Sequence, residues 1–155
     1  MQMKNNPHFE TACSWKEAET LVTFKPLKPS WTEGFTLQSI EIFVRDHEHR
    51  QLPVSERSLE AHYEGFVLTQ SHKGKEEGRR QALEVPYGRF PVKANIAGHD
   101  AHVYELGPEP EPDDIDPRSP SVVAWHDGEM LLLIASDRLP SETLVRIAES
   151  VYQDC

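Results

Sequence analysis

The sequence lacks the features that mark membrane-spanning and nucleic-acid-binding proteins. No apolar run approaches the roughly 18 residues that a transmembrane helix needs. Basic residues are in the minority, with 16 lysines and arginines against 26 aspartates and glutamates, and the formal net charge is −10. Nucleic acids and anionic membranes attract basic surfaces, so we predict no nucleic-acid partner and no membrane insertion.

Signatures of catalysis and of cofactor binding are also missing. The chain has no Gly-x-Ser-x-Gly elbow, no His-Glu-x-x-His zinc motif, no Walker A loop and no Gly-x-Gly-x-x-Gly turn. We therefore predict a non-enzymatic protein without a cofactor. The first ten residues have no apolar signal-peptide core, so the chain as it stands predicts a cytoplasmic location.

Cysteine is scarce. The two cysteines, Cys13 and Cys155, form no Cys-x-x-Cys pair and cannot build a zinc ribbon. They lie near the first and last predicted helices, and could meet if those helices were antiparallel. Two separate free thiols is the preferred interpretation, with a disulfide as the alternative.

Two helices are predicted, one near each end of the chain. Ser14 and Glu17 have the spacing of a capping box, which predicts a helix from Trp15 to Thr23. Near the other end, Ser141 is the predicted N-cap of a helix. The apolar stripe of this second helix consists of Leu144, Ile147, Ala148 and Val151.

Between the helices, alternating apolar residues predict strands arranged in hairpins. A strand covers 35–44, with a bulge where the apolar face switches, and hairpins turn at Gly65 and at Gly98 or His99. The continuous apolar run Met130–Ala135 predicts a central strand. The fold class is therefore α+β: a single antiparallel sheet of about six to seven strands, flanked by the N-terminal and C-terminal helices on one face.

Composition predicts one domain with three loop-like regions. Residues 1–12 are polar and predict a flexible N-terminus, and residues 13–155 form the domain. The segment 107–120 holds alternating prolines and acidic residues and predicts a disordered-type loop. The charged, glycine-containing segment 74–91 predicts a loop with a short element.

The stretch 122–151 resembles an uncharacterised bacterial family called domain of unknown function 4367. It shares a Trp strand, an acidic-glycine turn, an apolar strand and a helix reading Leu-x-x-Ile-Ala-x-Ser, through Trp125, Asp127, Gly128, Leu131–Ile134, Leu144, Ile147, Ala148 and Ser150. Upstream, Pro29, Glu33, Gly34 and Phe35 resemble the entry to that family's first strand. The last helix is also similar to the closing domain of RseB-type periplasmic regulators. The resemblance implies a bacterial, often extracytoplasmic protein without known catalytic residues.

Four loop histidines are candidate metal ligands. His47 and His49 flank Glu48, and His99 and His102 lie beside a predicted turn. If the two loops met, they could form a site with two or three ligands. Solvated loop histidines without a metal is the preferred interpretation.

The acidic loop and one tryptophan are candidate interaction residues. The loop could bind a basic partner by electrostatics, although the ordinary interpretation is a solvated charge run. Trp31, in a proline-rich connector, is a candidate exposed aromatic residue. The interaction set comprises Trp31, Glu109, Glu111, Asp113, Asp114 and Asp116.

Three functions follow from these patterns. The first is a non-enzymatic protein-interaction or sensor module with an unidentified protein partner. The second is a small metal-dependent hydrolase using the loop histidines, and the third is a structural, self-associating domain. The predicted state is a monomer or a homodimer.

Overall fold

The computed structural model describes residues 8–46, 48, 50–84, 90–109, 111–113 and 118–153. These residues form a single eight-stranded antiparallel sheet with three α-helices and a short 3-10 helix at Val54–Glu56. The strands are β1 (Phe9–Ala12), β2 (Leu37–Phe43), β3 (Ser58–Tyr63), β4 (Val67–His72), β5 (Val92–Ile96), β6 (His99–Tyr104), β7 (Ser121–Asp127) and β8 (Met130–Ser136). The helices are α1 (Trp15–Glu19), α2 (Lys75–Leu83) and α3 (Ser141–Ser150). None of the helices in the described residues is long and apolar enough to span a bilayer.

The spatial order of the strands divides the sheet into two halves. The order is β1-β2-β3-β4-β8-β7-β6-β5, so each half is a run of four strands that are consecutive in sequence. We call β1–β4 the N-terminal half and β5–β8 the C-terminal half. They join through the antiparallel pair β4–β8, in which Leu68 faces Ile134. β8 is therefore central, as its unbroken apolar sequence predicted.

One face of the sheet carries the main core, and we call it the covered face. The strand register places the apolar side chains of successive strands in continuous rows across this face. α3 packs here through Leu144, Ile147 and Ala148, which are fully buried, and Ala18 of α1 belongs to the same cluster. Both terminal helices thus belong to the core on this face, whereas the third helix, α2, does not.

The connector between α1 and β2 completes the cover through hydrogen bonds to buried polar side chains. Gln70, fully buried in β4, donates through Nε2 to the Leu27 carbonyl and accepts through Oε1 from the Leu27 amide, both at 2.7 Å. At the other end of the connector, the Trp31 amide donates to Ser150 Oγ at 3.2 Å. The two connector prolines prevent regular secondary structure, so these side chains satisfy backbone groups that no strand pairs.

The C-terminal tail is attached to the core through Trp125. Its indole Nε1 donates to Tyr152 Oη at 2.9 Å, and Tyr152 Oη donates to Asp127 Oδ2 at 2.9 Å. His99 stacks on the Tyr152 ring with the centroids 5.2 Å apart. Burial of the Tyr152 phenol, together with the nearby Asp127 carboxylate, raises the pKa of Tyr152 above its ordinary value.

The structure differs from the sequence-based prediction in the number of strands and in the placement of helices. The sheet has eight strands rather than six to seven, since Phe9–Ala12, predicted to be flexible, pairs with β2. The segment predicted as a loop with a short element contains α2, which packs on the opposite face through Ala82 against Ala124 and Leu131. Helices thus lie on both faces.

Helix ends differ from expectation in two places. α1 stops at Glu19, short of the predicted Thr23. Ser14 caps it as predicted, since the Glu17 amide donates to Ser14 Oγ at 3.1 Å, but the Glu17 carboxylate accepts from the Cys13 amide rather than from that of Ser14. α3 is capped by Pro140, and Ser141 is its first residue. Ser141 does not cap, because its hydroxyl donates to Glu105 Oε2 at 2.8 Å. The predicted bulge in β2 and the turn at Gly98 are confirmed.

Candidate functional site

The second face of the sheet differs between the two halves. α2 covers it over β6, β7 and β8, whereas the side chains of the N-terminal half on this face remain largely polar and partly exposed. We call this patch the open surface. Its polar members are Thr11, Ser39, Glu41, Ser58, Glu60, His62 and Thr69, and its apolar members are Val67 and, at one end, the ring pair Phe9 and Phe43.

Two carboxylates and one imidazole lie close together at the centre of the open surface. Glu41 of β2 is the direct cross-strand partner of Glu60 of β3, and His62 lies two residues further along β3. His62 Nε2 lies 3.0 Å from Glu60 Oε1 and 3.6 Å from Glu41 Oε2. We call these residues the Glu-Glu-His cluster. Each is about one-third exposed, so the cluster is accessible to a solute.

Alternation along two interior strands fixes the orientation of the cluster. Ile40, Ile42, Leu59 and Ala61 flank the cluster residues in sequence, point to the covered face and are fully buried. A one-residue slip of either strand would expose these apolar side chains and bury the carboxylates, so the register is strongly specified. β2 and β3 are each paired on both sides, which holds the cluster on a rigid support.

The electrostatics of the cluster are unfavourable without a cation. Like charges at directly opposed cross-strand positions destabilise a sheet. Within the described residues, His62 Nε2 is the nitrogen that lies near both carboxylates, and neither carboxylate pairs with a lysine or arginine. The arrangement therefore favours the binding of positive charge at this point.

The predicted histidine site is not assembled by the described residues. His47 and His49 lie outside the described residues. His99 points to the covered face, against Tyr152, whereas His102 lies on the opposite face of β6, directly across from Lys93. Burial, with Lys93 nearby, lowers the pKa of His102. The two β6 histidines thus cannot share one ion.

The predicted acidic interaction residues lie in the loop between β6 and β7. Glu109, Glu111 and Asp113 are exposed, and Asp114 and Asp116 lie outside the described residues. The base of this loop is closed by the Gly107 amide, which donates to the Ser119 carbonyl at 2.9 Å.

Trp31 and Cys13 have different environments. Trp31 is half-buried against the core, with the Arg146 guanidinium 4.0 Å from the centroid of its ring, so part of its surface is used in packing. Cys13 is exposed, and its predicted alternative partner Cys155 lies outside the described residues.

Two features bear on self-association. β8, central in the sheet, cannot serve as a dimer edge, so the free edges among the described strands are β1 and β5. β5 carries Val92, 57% exposed, and follows Phe90, 98% exposed. Pro91 and Lys93 interrupt this apolar edge, and both residue types discourage strand pairing between molecules.

Sequence reasoning did not identify the Glu-Glu-His cluster. The alternation of β3 places Glu60 and His62 on one face, and this signal was readable. Glu41 lies beside them only because β2 pairs with β3 in this register. A long connection separates the two strands in sequence, so no local pattern indicates the contact.

Comparisons with known proteins give no match: no family model, no curated protein and no solved structure matches the chain. The resemblance of 122–151 to domain of unknown function 4367 and to RseB-type regulators therefore remains a prediction.

Proposed function

We propose that the protein is a non-enzymatic interaction module that binds its partner through the open surface. The observation that carries the proposal is the direct opposition of Glu41 and Glu60 on a partly exposed sheet face. Local violations of folding preferences tend to occur at functional positions, and a paired carboxylate on an interior strand is such a violation.

The chemistry of the open surface defines the kind of partner. Hydroxyl groups of Thr11 and Thr69 lie in the same cross-strand row as the two carboxylates. The row thus offers acceptors at its centre and neutral hydrogen-bonding groups at its ends. A protein that presents a cationic group to the row would relieve the repulsion between the carboxylates, and the net charge of −10 would accelerate its approach.

Affinity capture with charge-matched variants tests the proposal. The wild-type protein, the double variant Glu41→Gln/Glu60→Gln and the control Glu142→Gln/Glu149→Gln are immobilised separately. The control removes the same charge from exposed positions on α3. A partner retained by wild type and control, lost by the cluster variant and released by salt is the expected result. Equal capture by all three proteins would refute a role for the open surface.

A further inference from the structure

The Glu-Glu-His cluster has the composition of a metal site as well as of a docking site. One ligand atom from each of Glu41, Glu60 and His62 lies within 4.8 Å of the others. Carboxylate oxygen and imidazole nitrogen are ordinary ligands of zinc and of other divalent transition metals. The cluster thus has suitable ligand atoms, and these atoms lie close together.

The spacing of the donors matches a small divalent ion. Bonds of about 2.0–2.2 Å in tetrahedral geometry place neighbouring ligand atoms about 3.3–3.6 Å apart. The separations from His62 Nε2 to the two carboxylates, 3.0 and 3.6 Å, bracket this range. Small side-chain rotations would therefore suffice to form the site, while the backbone positions are already set by the sheet.

Charge balance provides a separate argument. Two carboxylates carry a charge of −2, and a divalent ion with a neutral imidazole balances it. A singly charged group of the partner would relieve the repulsion only in part, whereas a divalent ion balances both carboxylates. The ion pairs of other partly exposed strand histidines differ, since His72 pairs with one carboxylate only, Glu129, at 3.7 Å.

We infer that Glu41, Glu60 and His62 bind a divalent transition-metal ion of the zinc class. The inference rests on the proposed function, because the metal ion would supply the positive charge that the open surface is proposed to bind. Three protein ligands leave a fourth position of a tetrahedral ion open. A donor group of the partner can occupy that position, so the ion would link the sheet to the partner.

Calorimetric titration of metal-stripped, tag-free full-length protein with zinc chloride tests the inference. The variants Glu60→Gln, nearly isosteric, and His62→Ala each remove one ligand, and His72→Ala is the matched control. We expect saturable binding of one ion to the cluster, weakened at least about tenfold by either ligand variant and unchanged in the control. Thermal melting of each protein verifies folding. Magnesium chloride is expected to bind far more weakly, because imidazole is a poor ligand for magnesium.

The outcomes separate the inference from the proposed function. Zinc binding that is absent, or equally strong in Glu60→Gln, His62→Ala and wild type, overturns the metal site. If partner capture still depends on Glu41 and Glu60 in that case, the interaction module stands without the metal. If zinc binds at the cluster but partner capture is unchanged in Glu41→Gln/Glu60→Gln, the metal site stands and the proposed partner surface is refuted.

Discussion

The two halves of the sheet are covered differently, and their sequences differ accordingly. In the C-terminal half, helices pack on both faces, and β7 is buried at five successive positions, 121–125. In the N-terminal half, β3 alternates between buried and partly exposed residues over Ser58–Tyr63. A strand covered on both faces reads as an apolar run, and one covered on a single face alternates. The alternation in β3 therefore indicates that one face of the N-terminal half is not covered by any of the described helices.

The largest expected difference between the halves concerns Trp125, in the doubly covered half. Trp125→Ala removes a fully buried indole and should lower the free energy of unfolding by about 3–5 kcal/mol. Thr69→Ala on the open surface should change it by less than about 0.5 kcal/mol. Urea denaturation of both variants checks this contrast, and similar losses at the two positions would contradict it.

A smaller effect is expected from the contact that closes the covered face of the N-terminal half. Gln70→Leu leaves the Leu27 amide and carbonyl without their side-chain partner, so it should cost about 1–3 kcal/mol in unfolding free energy. Thr69→Val, the neighbour that points to the open surface, is the control. Equal stability of Gln70→Leu and wild type in urea would mean that the connector contributes little.

The tail contact in the C-terminal half predicts a dependence on alkaline pH. The unfolded Tyr152 phenol ionises near its ordinary pKa of 10.0, whereas the folded phenol has a raised pKa and keeps its proton. The folded state thus binds more protons, and its stability falls as pH rises through 10. Tyr63 has a raised pKa as well and contributes in the same direction.

The variant Tyr152→Phe isolates the share of this dependence that comes from the tail. Its unfolding free energy should decline less steeply than that of wild type between about pH 9.5 and 11. Chemical denaturation at a series of pH values measures the slopes. Parallel slopes in the two proteins would show that Tyr152 ionises in the folded state much as it does in the unfolded chain.

The smallest expected effect lies on the open surface and has the opposite sign. Glu41→Gln removes a like-charge cross-strand pair and should raise the free energy of unfolding by a few tenths of a kcal/mol. The gain should shrink at high salt, because salt screens exposed charges. Glu142→Gln on α3 controls for net charge. A stability loss in Glu41→Gln would contradict the predicted repulsion.

The sequence predicted those strands and helices in which the spacing of apolar residues indicates which side is buried. The apolar run Met130–Ala135 correctly predicted a central strand, and the stripe on α3 correctly predicted its buried side. β1 was missed because its four residues, Phe9–Ala12, show no clear alternation and are held by pairing with β2. In the segment 74–91 only a short element of unspecified type was predicted, because the buried residues of α2 are Gly78 and Ala82 on an otherwise charged helix.

The candidate site was less predictable than the fold for a related reason. Glu60 and His62 share a face by their spacing alone, but nothing local to β2 indicates that Glu41 faces Glu60. That contact depends on the register across a long connection and on the bulge between Leu37 and Ser39. His99 and His102 were predicted as ligands of one site because they are close in sequence. They lie three residues apart on one strand, so their side chains point to opposite faces of the sheet.

The most direct test of the metal site on the open surface is chemical labelling of His62. Diethyl pyrocarbonate modification of the folded protein, mapped by mass spectrometry, compares His62 with His72 before and after zinc is added. The account predicts that both imidazoles are labelled in metal-free protein and that zinc protects His62 while His72 stays reactive. Failure to label His62 would contradict its exposure on the open surface, and equal labelling of His62 with and without zinc would contradict the metal site.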